Sequence, residues 1–133
     1  MYYNVNVSNR VSSNIKMGEN MNKFRFLIAL WVGKILVFLT NIVSKGRGTN
    51  IPGAYANKIQ SDFIKHFSGI HYDNVIFITG TNGKSTTNNV IVHTIKTAGK
   101  SICTNLEGAN LIGGIATALI KSASWNGKVS KDV

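Results

Sequence analysis

The sequence predicts an α/β fold built on a parallel, three-layer sheet, with an amphipathic helix ahead of it. Three observations carry that expectation. Val75-Ile76-Phe77-Ile78-Thr79 is β-branched and apolar on both faces, as a buried parallel strand is. It runs into Gly80-Thr81-Asn82-Gly83-Lys84-Ser85-Thr86-Thr87, after which a helical pattern extends from Lys84 to Ala98. A second short apolar stretch, Ser101–Thr104, follows Gly99. Strand, helix and strand at this spacing call for a right-handed crossover that sets the two strands side by side and parallel.

The N-terminal residues 1–20 are polar, rich in Asn and Ser, and without periodicity, and they read as a disordered extension. Met21 reads as a natural start and the residues before it as translated upstream sequence. Phe24–Val43 is long and apolar enough to invite a membrane-anchor reading. Lys34 at its centre argues against a span, because a charge there costs about 3 kcal/mol on insertion scales. Lys34, Asn41 and Lys45, with Thr40 and Ser44 beside them, form a polar stripe on a helix whose other faces carry Leu27, Trp31, Ile35, Phe38 and Ile42. The expectation is an amphipathic helix packed on the domain, with peripheral membrane contact through residues 24–43 as the other reading.

Gly46 to Gly53 holds three glycines and the only proline, and reads as a linker closing an N-terminal segment, 21–53. Beyond it, residues 54–133 form the nucleotide-site region. Tyr55, Ile59, Phe63 and Phe67 recur every four residues, giving a short amphipathic helix. The helix from Lys84 is expected to bury Val90, Ile91, Ile95 and Ala98. A further helix covers Leu111 to about Ser122, and Ala123–Val133 reads as a polar connection.

At 133 residues the chain holds at most one core. The formal charge of +10, from fifteen Lys/Arg against five Asp/Glu, is scattered, and no aromatic interleaving points to base stacking. Nucleic acid is therefore a poor fit, whereas an ATP site and a polyanionic lipid-linked substrate both gain from positive potential. Cys103 is the only cysteine, which excludes an intrachain disulfide and a thiolate zinc cage, and fits a small buried side chain in a reduced, cytoplasmic protein. His66, His71 and His93 lack metal-ligand spacing and read as structural or surface residues.

The chemistry-bearing segment is the loop. Gly80 and Gly83 allow a tight turn that presents backbone N–H groups to an anion. Lys84 is placed to meet the β- and γ-phosphates of a nucleotide, and the Ser85 hydroxyl to ligate Mg²⁺. The helix dipole adds to the attraction. The general P-loop pattern fails, because Ile78 stands where it wants a glycine. The second candidate is Asn105-Leu106-Glu107-Gly108-Ala109-Asn110, a loop after the second strand. An amide there could bind substrate or phosphate oxygens, and Glu107 could touch Mg²⁺ or water.

Gly80 to Thr86 as it stands resembles the ATP-binding signature of the Mur ligase family, which uses this shortened loop. The order Ile-Pro-Gly-Ala, Gly-Thr-Asn-Gly-Lys-Ser-Thr and Asn-x-Glu-Gly-Ala-Asn is similar to the branch of that family that amidates the α-carboxyl of D-glutamate in lipid II. The resemblance covers about Phe24 to the end. It implies the P-loop-type central domain of that family; ATP and Mg²⁺, with Gly80, Thr81, Asn82, Gly83, Lys84, Ser85 and Thr86 on ATP; Lys84 as the catalytic cation; Ser85 on the metal; and Asn105, Glu107 and Asn110 on the substrate or phosphate side. It further implies an acyl-phosphate mechanism and ammonia from a glutaminase partner of the GatD type. The family's acidic Mg²⁺ ligand, nucleotide-clamping second domain and four-cysteine zinc ribbon are not encoded in these 133 residues. The expectation is therefore a fragment of the ATP-binding domain, inactive by itself. A membrane-associated nucleotide-binding module and a non-functional remnant stand as alternatives.

Overall fold

The computed structural model describes residues 4–44, 50–105 and 112–133. From Asn4 to Ser44 the backbone is one continuous helix, α1, so the polar N-terminal stretch from Asn4 onward is helical where the sequence reads as unstructured. Ile51–Ile59 forms α2, Lys84–Thr97 α3 and Ile112–Ser122 α4, with short 3₁₀ turns at Phe63–His66 and Tyr72–Asn74.

The expected α/β fold is not what forms. Among the described residues there is no sheet, only isolated bridges pairing Ser68 with Lys128 and Ala123 with Val129. The Val75–Thr79 run, which reads as a buried strand, lies irregular and exposed, with Phe77 86% accessible. β-branched sequence favours extended backbone, but a strand needs a neighbour to receive its hydrogen bonds. The second expected strand has a different neighbour. Cys103 N donates to Val133 O at 2.8 Å, and Asp132 N and Val133 N donate to Ser101 O at 3.0 and 3.2 Å. Residues 101–103 are thus paired with the chain's last residues and not with 75–79. Ala123–Val133 is accordingly part of the structure and no loose connection, with Ala123 and Val129 both buried.

The core is helix on helix. Phe26, Ala29 and Leu30 of α1 meet Ala56 of α2 and Ala116, Leu119 and Ile120 of α4, closed at one end by Phe63, Phe67 and Val129. Phe26, Phe63 and Phe67 pack as a ring trio with centroids 5.0–5.4 Å apart, two of the pairs edge-to-face, a favoured aromatic geometry. Gly127, at φ 84°, lies against the Phe26 ring where a Cβ would sit 2.5 Å from it.

Ile51–Gly53, read from sequence as the tail of a linker, is the first turn of α2, with Pro52 where its missing N–H costs nothing. Gly53 lets α2 cross α4 in close contact: a Cβ there would stand 2.0 Å from Gly113 O and 2.7 Å from Thr117 N. Across the crossing Gly53 N donates to Thr117 Oγ1 at 3.0 Å, and that hydroxyl donates to Gly113 O at 2.8 Å. Every polar group at this buried crossing is therefore matched by a partner that only a side-chain-free position admits.

α1 packs on the domain as expected, but with the opposite face. Its inner side carries Phe26, Ala29, Leu30, Gly33 and Lys34. Lys34 Nζ donates to Ile120 O at 3.0 Å and Ala123 O at 2.6 Å, and lies 5.3 Å from the centre of the Trp125 ring. Those carbonyls close the negative end of α4, so the ammonium serves as its cap. Partial burial pushes the Lys34 pKa below its ordinary value. Trp31, Ile35, Phe38 and Ile42 consequently face solvent.

Two predictions follow from this packing. Gly53→Ala should destabilise the fold by about 1–3 kcal/mol, since the contacting atoms are backbone and cannot turn away; thermal melting should show a fall of several degrees, with α3 signals retained. Asp132 accepts from Ser101 N and Oγ, both at 2.8 Å, and these bonds, with Lys100 and Lys131 nearby, hold its carboxyl below the ordinary 3.8. A depressed carboxylate stabilises above its unfolded pKa and loses that contribution as pH falls through the folded one. The protection factor of the Ser101 amide should therefore fall below pH 3.8 while the helical core stays protected, as read by hydrogen exchange corrected for its intrinsic rate.

Candidate functional site

The loop leading into α3 is shaped by its two glycines. Gly80 has φ 151° and Gly83 φ 78°, conformations that L side chains rarely adopt, and a Cβ at Gly83 would meet nothing within 4 Å. Gly83 is the N-cap of α3 and offers no side chain to its first turn. Its carbonyl accepts from Thr87 N at 2.9 Å, starting the helix, so the amides of Lys84, Ser85 and Thr86 are those the helix cannot itself satisfy. Thr81, Asn82, Ser85 and Thr86 are exposed around this end.

Lys84 folds back over the loop, its Nζ donating to Gly80 O at 2.5 Å and Thr81 O at 3.3 Å. The ammonium thus sits at the same end as the free amides, held by neutral carbonyls. The seven contiguous candidates Gly80, Thr81, Asn82, Gly83, Lys84, Ser85 and Thr86 form one open, electropositive corner. The donor set suits the oxygens of a phosphate chain. For Mg²⁺ the site offers the Ser85 hydroxyl, which suits an ion that keeps waters and takes its remaining ligands from phosphates. No group of three or more His, Cys, Asp or Glu gathers into a metal cage among the described residues.

The second motif reaches the same region through a tie absent from the sequence reading. Asn88, one turn into α3 from Lys84, exchanges hydrogen bonds with the Thr104 hydroxyl at 3.3–3.4 Å. Thr104 is the residue before Asn105, so the second loop starts beside α3. Glu107 and Asn110 lie outside the described residues. A short polar side chain one turn beyond Lys84, with a Thr at the end of the next segment, was the only sequence signal for this tie.

α3 packs against no other helix among the described residues. Of its expected inner face, Ile91 and Ile95 are half-buried, while Val90 and Ala98 are exposed and Val92 is the buried residue. The site therefore stands off the helical core, joined to it by the 98–105 segment, whose Cys103 is half-buried against the core with its thiol 3.6 Å from Ala118 O.

The MurT subunit of the glutamine-hydrolysing lipid II isoglutaminyl synthase of Staphylococcus aureus strain COL is 37% identical over 102 residues, 77% of this chain. The chain is a homologue of MurT. The same subunit from strain N315 matches to the same extent, and that of Streptococcus pneumoniae R6 is 35% identical over 79 residues, 59% of this chain. The chain spans 23% of the length of the two staphylococcal MurT proteins, and 17% of the pneumococcal one. No family model and no solved structure matches it.

Proposed function

We propose that the corner formed by Gly80–Thr86 and the N-terminus of α3 binds the phosphates of ATP, and that the chain belongs to a subunit amidating the α-carboxyl of D-glutamate in lipid II. The supporting observation is the open loop itself: two glycines at positive φ, uncapped helix amides, and Lys84 resting on neutral carbonyls from which a phosphate can draw it. The relatives are subunits of a glutamine-hydrolysing lipid II isoglutaminyl synthase, which supports lipid II as the substrate; ammonia from glutamine and a glutaminase partner of the GatD type complete the reading.

In this reading the loop amides bind phosphate oxygens, Lys84 neutralises charge on the β- and γ-phosphates, and Ser85 holds Mg²⁺. The chemistry ATP supplies when bound is phosphoryl transfer, which turns a carboxylate oxygen into a leaving group for attack by ammonia. Lys84 adds most where charge on the transferring group is greatest, in the transition state. Asn105, Glu107 and Asn110 take the substrate side in this reading, and the Asn88–Thr104 tie beside Asn105 supports it.

Lys84→Ala tests the reading. Charge-assisted contacts are worth about 1.5–3 kcal/mol each, so ATP affinity measured by titration should fall about one to two decades. Melting without nucleotide should barely move, because Lys84 contributes no packing to the core. Unchanged ATP affinity would remove the phosphate role from this loop; a large drop in melting temperature would make Lys84 structural.

A further inference from the structure

α1 is built inside-out for a soluble helix. Opposite the face that packs on α2 and α4 runs an unbroken apolar stripe: Met17, Met21, Phe24, Ile28, Trp31, Ile35, then Phe38, Leu39 and Ile42, all exposed. At 100° per residue these positions fall within a sector about 100° wide, and at 1.5 Å per residue the stripe is about 38 Å long. Phe38 is 66% accessible and Ile35 56%, so neither is sheltered by the domain. A soluble monomer rarely leaves such a surface bare.

We infer that this stripe docks α1 flat on an anionic lipid bilayer, with the helix lying in the interface and the domain on its water side. The charge pattern selects the occupant. Between Glu19 and Asp62 the chain contains no acidic residue and six cations, Lys23, Arg25, Lys34, Lys45, Arg47 and Lys58. An exposed apolar stripe on a stretch of chain that is basic and free of acidic residues is complementary to anionic headgroups over acyl chains. The same pattern opposes a second copy, since two chains each of formal charge +10 would be brought together.

The helix lies on the bilayer and does not cross it, although Met17–Val43 is long and apolar enough for a span. Its inner face is occupied: Phe26, Ala29 and Leu30 are core residues, and Lys34 is bonded to the end of α4. Spanning would strip that face from the domain and carry the Lys34 ammonium into hydrocarbon. Trp31 extends the docking surface at the rim, since its Nε1 donates to Trp125 O at 3.1 Å and Trp125 is itself exposed. The inference is independent of the ATP site.

Sedimentation of the full chain with phosphatidylglycerol-containing vesicles and with neutral phosphatidylcholine vesicles tests it. The expected result is binding to the anionic vesicles, weakened by raised salt, with a blue shift of tryptophan emission from Trp31 and Trp125. Ile35→Asp combined with Phe38→Asp should lower the partition coefficient at least tenfold without changing the thermal melt, as both side chains are exposed. Should that variant melt early, the emission shift of the unmodified chain still decides. Absence of binding to anionic vesicles overturns the proposal, as does retention after alkaline carbonate washing, which would mean a span. A vesicle-free oligomer that the same double substitution converts to monomer would identify a second copy as the occupant and overturn it too. Lys84→Ala should leave vesicle binding unchanged, which separates this result from that of the ATP experiment.

Discussion

The contact between the Lys34 ammonium and the last carbonyls of α4 sets the rotation of α1 about its own axis. Burying a cation without an acidic partner is normally unfavourable. Here the negative end of a helix and the face of Trp125 take the partner's place. With Lys34 inward, Gly33 also faces inward, where a Cβ would meet the Ile120 side chain at 2.6 Å, so small and charged residues occupy the packed face together. Trp31, Ile35, Phe38 and Ile42 are left on the outside as a consequence. Lys34 thus ties helix packing to whatever surface α1 presents.

A second constraint organises the remainder. α2 and α4 meet through backbone at Gly53 and Gly113, with Thr117 satisfying the buried polar groups between them. That crossing and the Phe26–Phe63–Phe67 trio confine the core to α1, α2 and α4. α3 and the Gly80–Gly83 loop that precedes it are left outside, attached through the 98–105 segment and the Asn88–Thr104 tie. The separation lets the glycines of the loop keep conformations that a packed core would have to support. It also leaves the loop amides open to a ligand.

Local chemistry was legible wherever it depends on neighbours in sequence. The bounds of α3 and α4, the stop at Gly99 and the turn at Gly80–Gly83 follow from propensity, dipole and glycine conformation. The Lys84 placement follows as well, since it requires only a helix start and a lysine at its first position. Side-chain pattern misled where the partner is distant. Val75–Thr79 has every intrinsic mark of a buried strand, yet no described neighbour pairs with it, and Phe77 lies in solvent. Ile51–Gly53 reads as a breaker because its use as a contact surface depends on α4, some sixty residues away.

The sequence by itself determined the glycine turn before Lys84, the helix that follows it, the basic charge and the likeness to a lipid II-amidating family, all carried by contiguous residues. Tertiary structure alone decided which way α1 faces, because the hydrophobic pattern is symmetric to that choice: either the apolar stripe or the narrower Phe26–Leu30–Lys34 face could pack. The decision rests on long-range partners, the carbonyls of Ile120 and Ala123, and no local periodicity encodes them. The same holds for residues 101–103, whose apolar character allows a strand but whose hydrogen bonds go to the chain's last residues.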